Sequence, residues 1–218
     1  MRRQVFASTA LTLLLAASAA AQQSAIPPLA RVMIGPFVGL NYTTLSGDSV
    51  PDAKSRVDFA LGGQLDFSLA TSGFFRTGLV YSRRGTKFTE QGLDFKIKLS
   101  YLEIPVLFGY RFPTSGGVKP YVMGGGHLGI KVGCKLELTS EGVTSSVDCD
   151  NRDVVEGADF KSTDINLVGG GGILVPVGTS SLAFDLRYAY GLSSIQKNED
   201  VKNRGFTLGV GYMIPVGR

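Results

Sequence analysis

The sequence has little charge, little sulfur and no long apolar run beyond its N-terminus. Only 18% of the 218 residues are charged, and there are two cysteines and one histidine. After the N-terminal segment, no stretch reaches the roughly 18 to 20 apolar residues that a spanning helix needs, so helical passage through a bilayer is excluded. No basic cluster is present, which excludes a nucleic-acid partner. The net charge is +4, or +2 without Arg2 and Arg3, and singles out no partner. A lone histidine, His127, has no companions at metal-ligand spacing and no nucleophile and acid arranged as a triad, so it reads as a polar filler. The stretch GGGHLG at 124–129 formally matches G-x-G-x-x-G. It lies inside a strand pattern, where the dinucleotide reading would need it to open a helix. The acidic segment 148–159 lacks EF-hand spacing and reads as a solvated loop. No catalytic residue, cofactor or metal site is expected.

The N-terminus sets the compartment. Arg2 and Arg3 precede an apolar stretch, 6–20, and Ala19-Ala20-Ala21 offers a small-residue cleavage site. This is the pattern of a secretory signal peptide over 1–21, followed by a leader at 22–30 and one domain at 31–217. No cysteine stands at the cleavage point, which argues against a lipoprotein. In an exported chain, Cys134 and Cys149 are expected to form a disulfide. It would brace the long loop after the fifth strand, worth about 3 kcal/mol by loop closure.

What the chain does have is alternation, with 29 glycines, 13 phenylalanines and 8 tyrosines. In YLEIPVLFGYRF at 101–112, Leu102, Ile104, Val106, Phe108, Tyr110 and Phe112 share one face. Glu103, Pro105, Gly109 and Arg111 fall on the other. Period-2 alternation marks a strand. The same pattern predicts strands at 31–42, 58–70, 74–84, 96–112, 118–138, 163–177, 181–192 and 204–216. Connections after the odd-numbered strands are long and polar (43–57, 85–95, 139–162), and those between are short turns. An exported chain that crosses a membrane without helices must close its strands into a barrel. The expected fold is therefore all-β, an eight-stranded antiparallel up-and-down transmembrane barrel, OmpA/OmpX-like.

Arginine or lysine facing lipid at mid-membrane costs roughly 2 to 4 kcal/mol, so the apolar stripes should face outward and the charges inward. A barrel of eight strands leaves room inside only for side chains. The expected luminal charge network is Asp66, Arg76, Glu103, Arg111, Asp185 and Arg187, with Glu103 and nearby acids pairing with Arg76 and Arg187. Gln64, His127, Lys131, Asp164 and Asn166 share the inward face, and glycines make room for the long side chains. Pro105 is expected to mark a bulge with its ring toward the lumen. On the fifth strand, Cys134, Leu136 and Leu138 fall with the apolar Leu128, and Lys135 and Glu137 with the polar Lys131.

The Tyr101-Leu102-Glu103-Ile104-Pro105 strand resembles the corresponding strand of the PorT-type outer-membrane β-barrel family, common in Bacteroidetes and neighbouring phyla. The Gly-containing first strand (35–42) and the Gly-rich fifth (120–129) look like that family as well, and the last strand (207–214) resembles the signal read by the barrel-assembly machinery. The resemblance implies an outer-membrane barrel and, for its last strand, reading by the barrel-assembly machinery. The expected function is a small, non-enzymatic integral outer-membrane protein of a Gram-negative cell, with a filled lumen and surface loops that carry any partner binding. A narrow pore, or a secretion-associated component, is the alternative. Expected partners are outer-membrane lipid and the assembly machinery, with no nucleic acid.

Overall fold

An alternating strand becomes a wall when it pairs on both sides. The computed structural model describes residues 32–48, 50, 53–69, 71–90, 93–140, 143–149, 160–197 and 199–216. The expected signal peptide and leader lie outside the described residues, as does 150–159 of the acidic loop. Among the described residues there are nine strands: β1 (Val32–Ser46), β2 (Lys54–Ser68), β3 (Gly73–Glu90), β4 (Leu93–Arg111), β5 (Lys119–Ser140), β6 (Val143–Asp148), β7 (Thr163–Val177), β8 (Ser180–Gly191) and β9 (Lys202–Val216). Eight follow one another in the order β4-β3-β2-β1-β9-β8-β7-β5, and β4 pairs with β5 to close the ring. All pairings are antiparallel. Closure leaves no open edge among the ring strands, which is what a strand wall in lipid requires.

The ninth strand was not expected. β6 pairs with β5 alone and stands outside the ring, turning part of the expected loop 139–162 into a hairpin. Its four leading residues are all exposed, so it carries no burial pattern. Segments 43–57 and 85–95, expected as loops, are mostly strand. Pairing between β3 and β4 continues from Thr86–Ile97 to Glu90–Leu93. Ladder hydrogen bonds do not need apolar side chains, so hairpins run on past the apolar band into water.

The apolar stripes face outward. Phe59, Phe108, Tyr110 and Phe184 are all exposed, and Val38 and Leu208 are nearly 60% exposed. Leu65 and Phe67 are half-buried on the same face. The alternate positions are buried: Met33, Phe37 and Asn41 on β1, and Gln64 and Asp66 on β2.

Two local departures matter for the lumen. Tyr101 pairs with Lys131 and Ser100 with Gly133, so Val132 is left over as a bulge in β5. One extra residue exchanges the faces. Cys134 therefore points inward and is buried, while Lys135 is exposed and Glu137 lies outside against Lys98. This reverses the faces expected for β5 beyond residue 132. Pro105, in contrast, makes no bulge. The register from Thr77–Val106 to Val80–Glu103 loses pairs but no residue, because proline offers no N–H to the ladder. Its side chain is buried and lines the lumen, as its position implied.

Candidate functional site: the filled lumen

The ring brings inward side chains from all eight strands into one space, which is filled in tiers. Toward the short-turn end, Asp66 and Arg76 are direct cross-strand partners on β2 and β3. Arg76 Nε and Nη2 donate to the two Asp66 oxygens at 2.6 and 2.9 Å, a bidentate pair. Arg76 Nη1 donates to both Asp185 oxygens at 3.0 Å. Asp185 stands on β8, four places round the ring from β3, so this one guanidinium crosses the full lumen. Arg111 Nη2 adds a bond to Asp66 at 2.8 Å. Arg187 Nη2 donates to Asp185 and to Gln64, and the Tyr121 hydroxyl donates to Asp185. Aromatic faces enclose the cations: Arg111 lies 4.2 Å and Arg76 5.4 Å from the Phe74 ring centre.

Close packing here depends on missing side chains. A Cβ on Gly109 would lie 2.2 Å from the Phe74 ring, and one on Gly211 would lie 2.2 Å from Gln64 Nε2. At both positions glycine supplies the volume that a neighbouring side chain occupies.

A second polar tier lies toward the long-loop end. Arg84 Nε donates to Glu103 Oε1 at 2.7 Å. Asn203 Nδ2 donates to Asp164 Oδ2 at 2.8 Å and to the Tyr101 hydroxyl at 3.3 Å. The Tyr101–Asn203 link joins β4 to β9, again four places round the ring. Glu103 thus pairs with Arg84, and not with Arg76 or Arg187. It lies opposite Val80, four residues along β3 from Arg76, which is roughly 13 Å of strand. Above this tier, Leu45, Leu99, Tyr101, Cys134, Cys149, Phe160, Ile195 and Val201 pack as an apolar cluster. The Cys134–Cys149 disulfide lies within it and joins β5 to the residue following β6. Lys131 is only half-buried and donates to the Phe160 carbonyl at 3.3 Å.

Between the tiers is a cavity of about 30 Å³, bordered by Asn41, Ser82, Arg84, His127, Arg187 and Thr207 among others. That volume holds a few waters at most. Arg84 Nη1, His127 Nε2 and Arg187 Nε are buried without a hydrogen-bond partner among the described residues. No group of His, Cys, Asp or Glu among the described residues is arranged to hold a metal ion.

Sequence reasoning passed over Arg84, Tyr121 and Asn203. Arg84 continues the inward series of Arg76, Val80 and Ser82, and is the last residue of the strand expected at 74–84. Tyr121 lay on the polar face of the fifth strand. Asn203 sits between Lys202 and Arg204, which resemble loop, and so fell one residue outside the predicted last strand.

A ring of eight antiparallel strands with apolar side chains outside and ion pairs inside is the build of a small membrane barrel. The chain is similar to several solved structures. Neisserial surface protein A is 19% identical, with a TM-score of 0.47, and the match covers 84% of this chain and 97% of that one. Ail of Yersinia pestis is 18% identical, with a TM-score of 0.42 over 84% and 98% of the two chains. OprG from Pseudomonas aeruginosa is 15% identical, with a TM-score of 0.40 over 87% and 98%. No curated protein matches the sequence. The outer membrane protein beta-barrel domain model matches residues 20–197, and with the closed ring and outward apolar stripes already in place, the chain belongs to that outer-membrane family.

Proposed function

We propose that this protein is a closed, non-conducting and non-catalytic barrel of the outer membrane, whose role is structural or interactive and is carried by its long-loop end. Family membership supports the location. The observation that carries the closed reading is the Arg76 guanidinium, held by Asp66 on one wall and by Asp185 on the opposite wall. Four arginines (Arg76, Arg84, Arg111, Arg187) lie inside the lumen with four acids (Asp66, Glu103, Asp164, Asp185), all nine-tenths buried or more, Asp164 being held by Asn203 and the other three by arginines. Such charges persist in a low-dielectric space only when paired and hydrogen-bonded. An ion would have to break those pairs to pass.

The finer reading follows the sequence. The chain is exported to the outer membrane of a Gram-negative cell through a signal peptide cleaved after residue 21. It is of the PorT type by its Tyr101–Pro105 strand, is inserted by the barrel-assembly machinery, and takes outer-membrane lipid along its apolar stripes. Single-channel recording in planar bilayers tests the closed state. The expected result is no steady conductance above the lipid background, and a steady ohmic current would overturn it. Carbonate washing tests the membrane reading, since release into the soluble fraction would reject it.

A further inference from the structure

The outer wall changes character toward the long-loop end of β2 to β5. On β3 the outward series runs Phe75, Thr77, Leu79, Tyr81, Arg83, with Lys87 further along. On β4 it runs Phe108, Val106, Ile104, Leu102, Ser100, Lys98, Lys96. The bulge at Val132 turns Lys135 of β5 to the same side. The aromatic band comes first: Phe59 and Tyr81 are in ring contact, and the Arg83 guanidinium lies 5.5 Å from the Phe59 ring centre. Aromatic rings of this kind mark the membrane–water interface. Lys87 lies four residues beyond Arg83, roughly 10 Å higher on a tilted strand.

The register of these cations is unfavourable to the fold itself. Lys54 is directly opposite Lys87, Lys87 is directly opposite Lys96, and Lys98 is directly opposite Lys135. Like charges placed directly across a ladder destabilise it. The described acids on this stretch are fewer than the cations. Glu137 bonds Lys98 and stands opposite Lys96, Asp148 stands opposite Lys135, Asp58 bonds Arg56 at 2.7 Å and lies 3.9 Å from Arg83, and Asp94 lies at the far end of β4, so the row Lys54–Lys87 is the part with no acid directly across it. The repulsion is placed where the wall leaves the apolar band, at the depth of lipid headgroups.

We propose that this face binds a phosphate-bearing anionic lipid headgroup of the outer leaflet. The apolar stripe below it holds the acyl chains, and the opposed lysines hold the phosphate. Charge complementarity and continuity with the lipid-facing stripe select a lipid as the occupant. Each lysine near such a charge strengthens binding roughly fivefold. The proposal rests on the membrane reading above.

The test uses the full mature chain folded in an uncharged detergent, with native mass spectrometry reading bound lipid. The probes are short-chain phosphatidic acid, diacylglycerol with the same chains, and inorganic phosphate as competitor. Phosphatidic acid should be retained, diacylglycerol should not, and inorganic phosphate should not displace the lipid. The triple variant Lys54→Gln, Lys87→Gln, Lys96→Gln should bind phosphatidic acid roughly tenfold or more weakly, and its lipid-free barrel should unfold no earlier than the wild type. The pair Lys98→Gln, Lys135→Gln should act in the same direction, whereas Lys202→Gln, Arg204→Gln on β9 should not. Equal retention of diacylglycerol, undiminished binding by both the triple and the pair variants, or displacement by inorganic phosphate overturns the proposal. Liposome flotation is scored first. A wild-type chain that fails to float overturns the membrane reading and this proposal together, and one that floats without a phosphate preference overturns this proposal alone.

Discussion

The two ends of the lumen are closed by different chemistry. At the short-turn end the closure is ionic: Asp66, Arg76, Arg111, Asp185 and Arg187 share bonds across four strands. At the long-loop end it is an apolar cluster tied by a disulfide, resting on a thinner polar layer of Arg84–Glu103 and Tyr101–Asn203–Asp164. The first end is built from ring strands alone, so its geometry is set by barrel closure. The second recruits Cys149, Phe160, Ile195 and Val201 from segments between strands, and covalent and apolar links replace ladder geometry there. The ionic end should therefore be sensitive to losing one partner, and the apolar end to losing its tether.

The largest effect is expected at Arg76. Arg76→Ala leaves Asp66 and Asp185 buried without their shared partner and should cost about 3–5 kcal/mol, read as an earlier urea midpoint of the folded barrel in detergent. A loss below about 1 kcal/mol would erase the distinction between the two ends. Next comes the tether. Cys134→Ser with Cys149→Ser should cost about 3 kcal/mol, the value for a 15-residue loop, and the same should follow from reducing the wild-type protein before unfolding. A smaller effect belongs to Tyr101→Phe, which removes one hydroxyl from Asn203 and should cost about 1 kcal/mol in the same assay. Smallest is the double change Arg84→Met, Glu103→Leu. Replacing a whole buried pair with apolar groups is often neutral or stabilising, so the double variant should unfold later than either single one.

The same contrast separates what was legible in the sequence from what was not. Asp66, Arg76, Arg111, Asp185 and Arg187 fall on stretches whose alternation is unbroken, the irregularity of β2 lying earlier, between Ser55 and Ala60, so their common face could be read directly. The long-loop end hides behind three local events. A leftover residue, Val132, exchanges the faces of β5, so that Cys134 and Leu136 turn inward against the simple pattern. The polar run Lys202, Asn203, Arg204 continues β9 beyond the apolar band, where side-chain hydropathy no longer distinguishes strand from loop. The residues of β6 are exposed on both faces and leave no periodic trace. Glu103 is buried in the lumen but meets Arg84 and not Arg76 or Arg187, because facing fixes direction and not height. Its height depends on the β3–β4 register, which alternation does not determine.

The central claim is that the lumen is bridged from wall to opposite wall. A double-mutant cycle between Arg76 and Asp185, using Arg76→Met and Asp185→Leu in the full chain, tests it most directly. These residues stand four strands apart in the ring and meet only if the lumen is closed at their level. The account predicts a coupling energy of about 1–3 kcal/mol, with the double variant more stable than the sum of the single losses implies. Strict additivity of the two changes would contradict it.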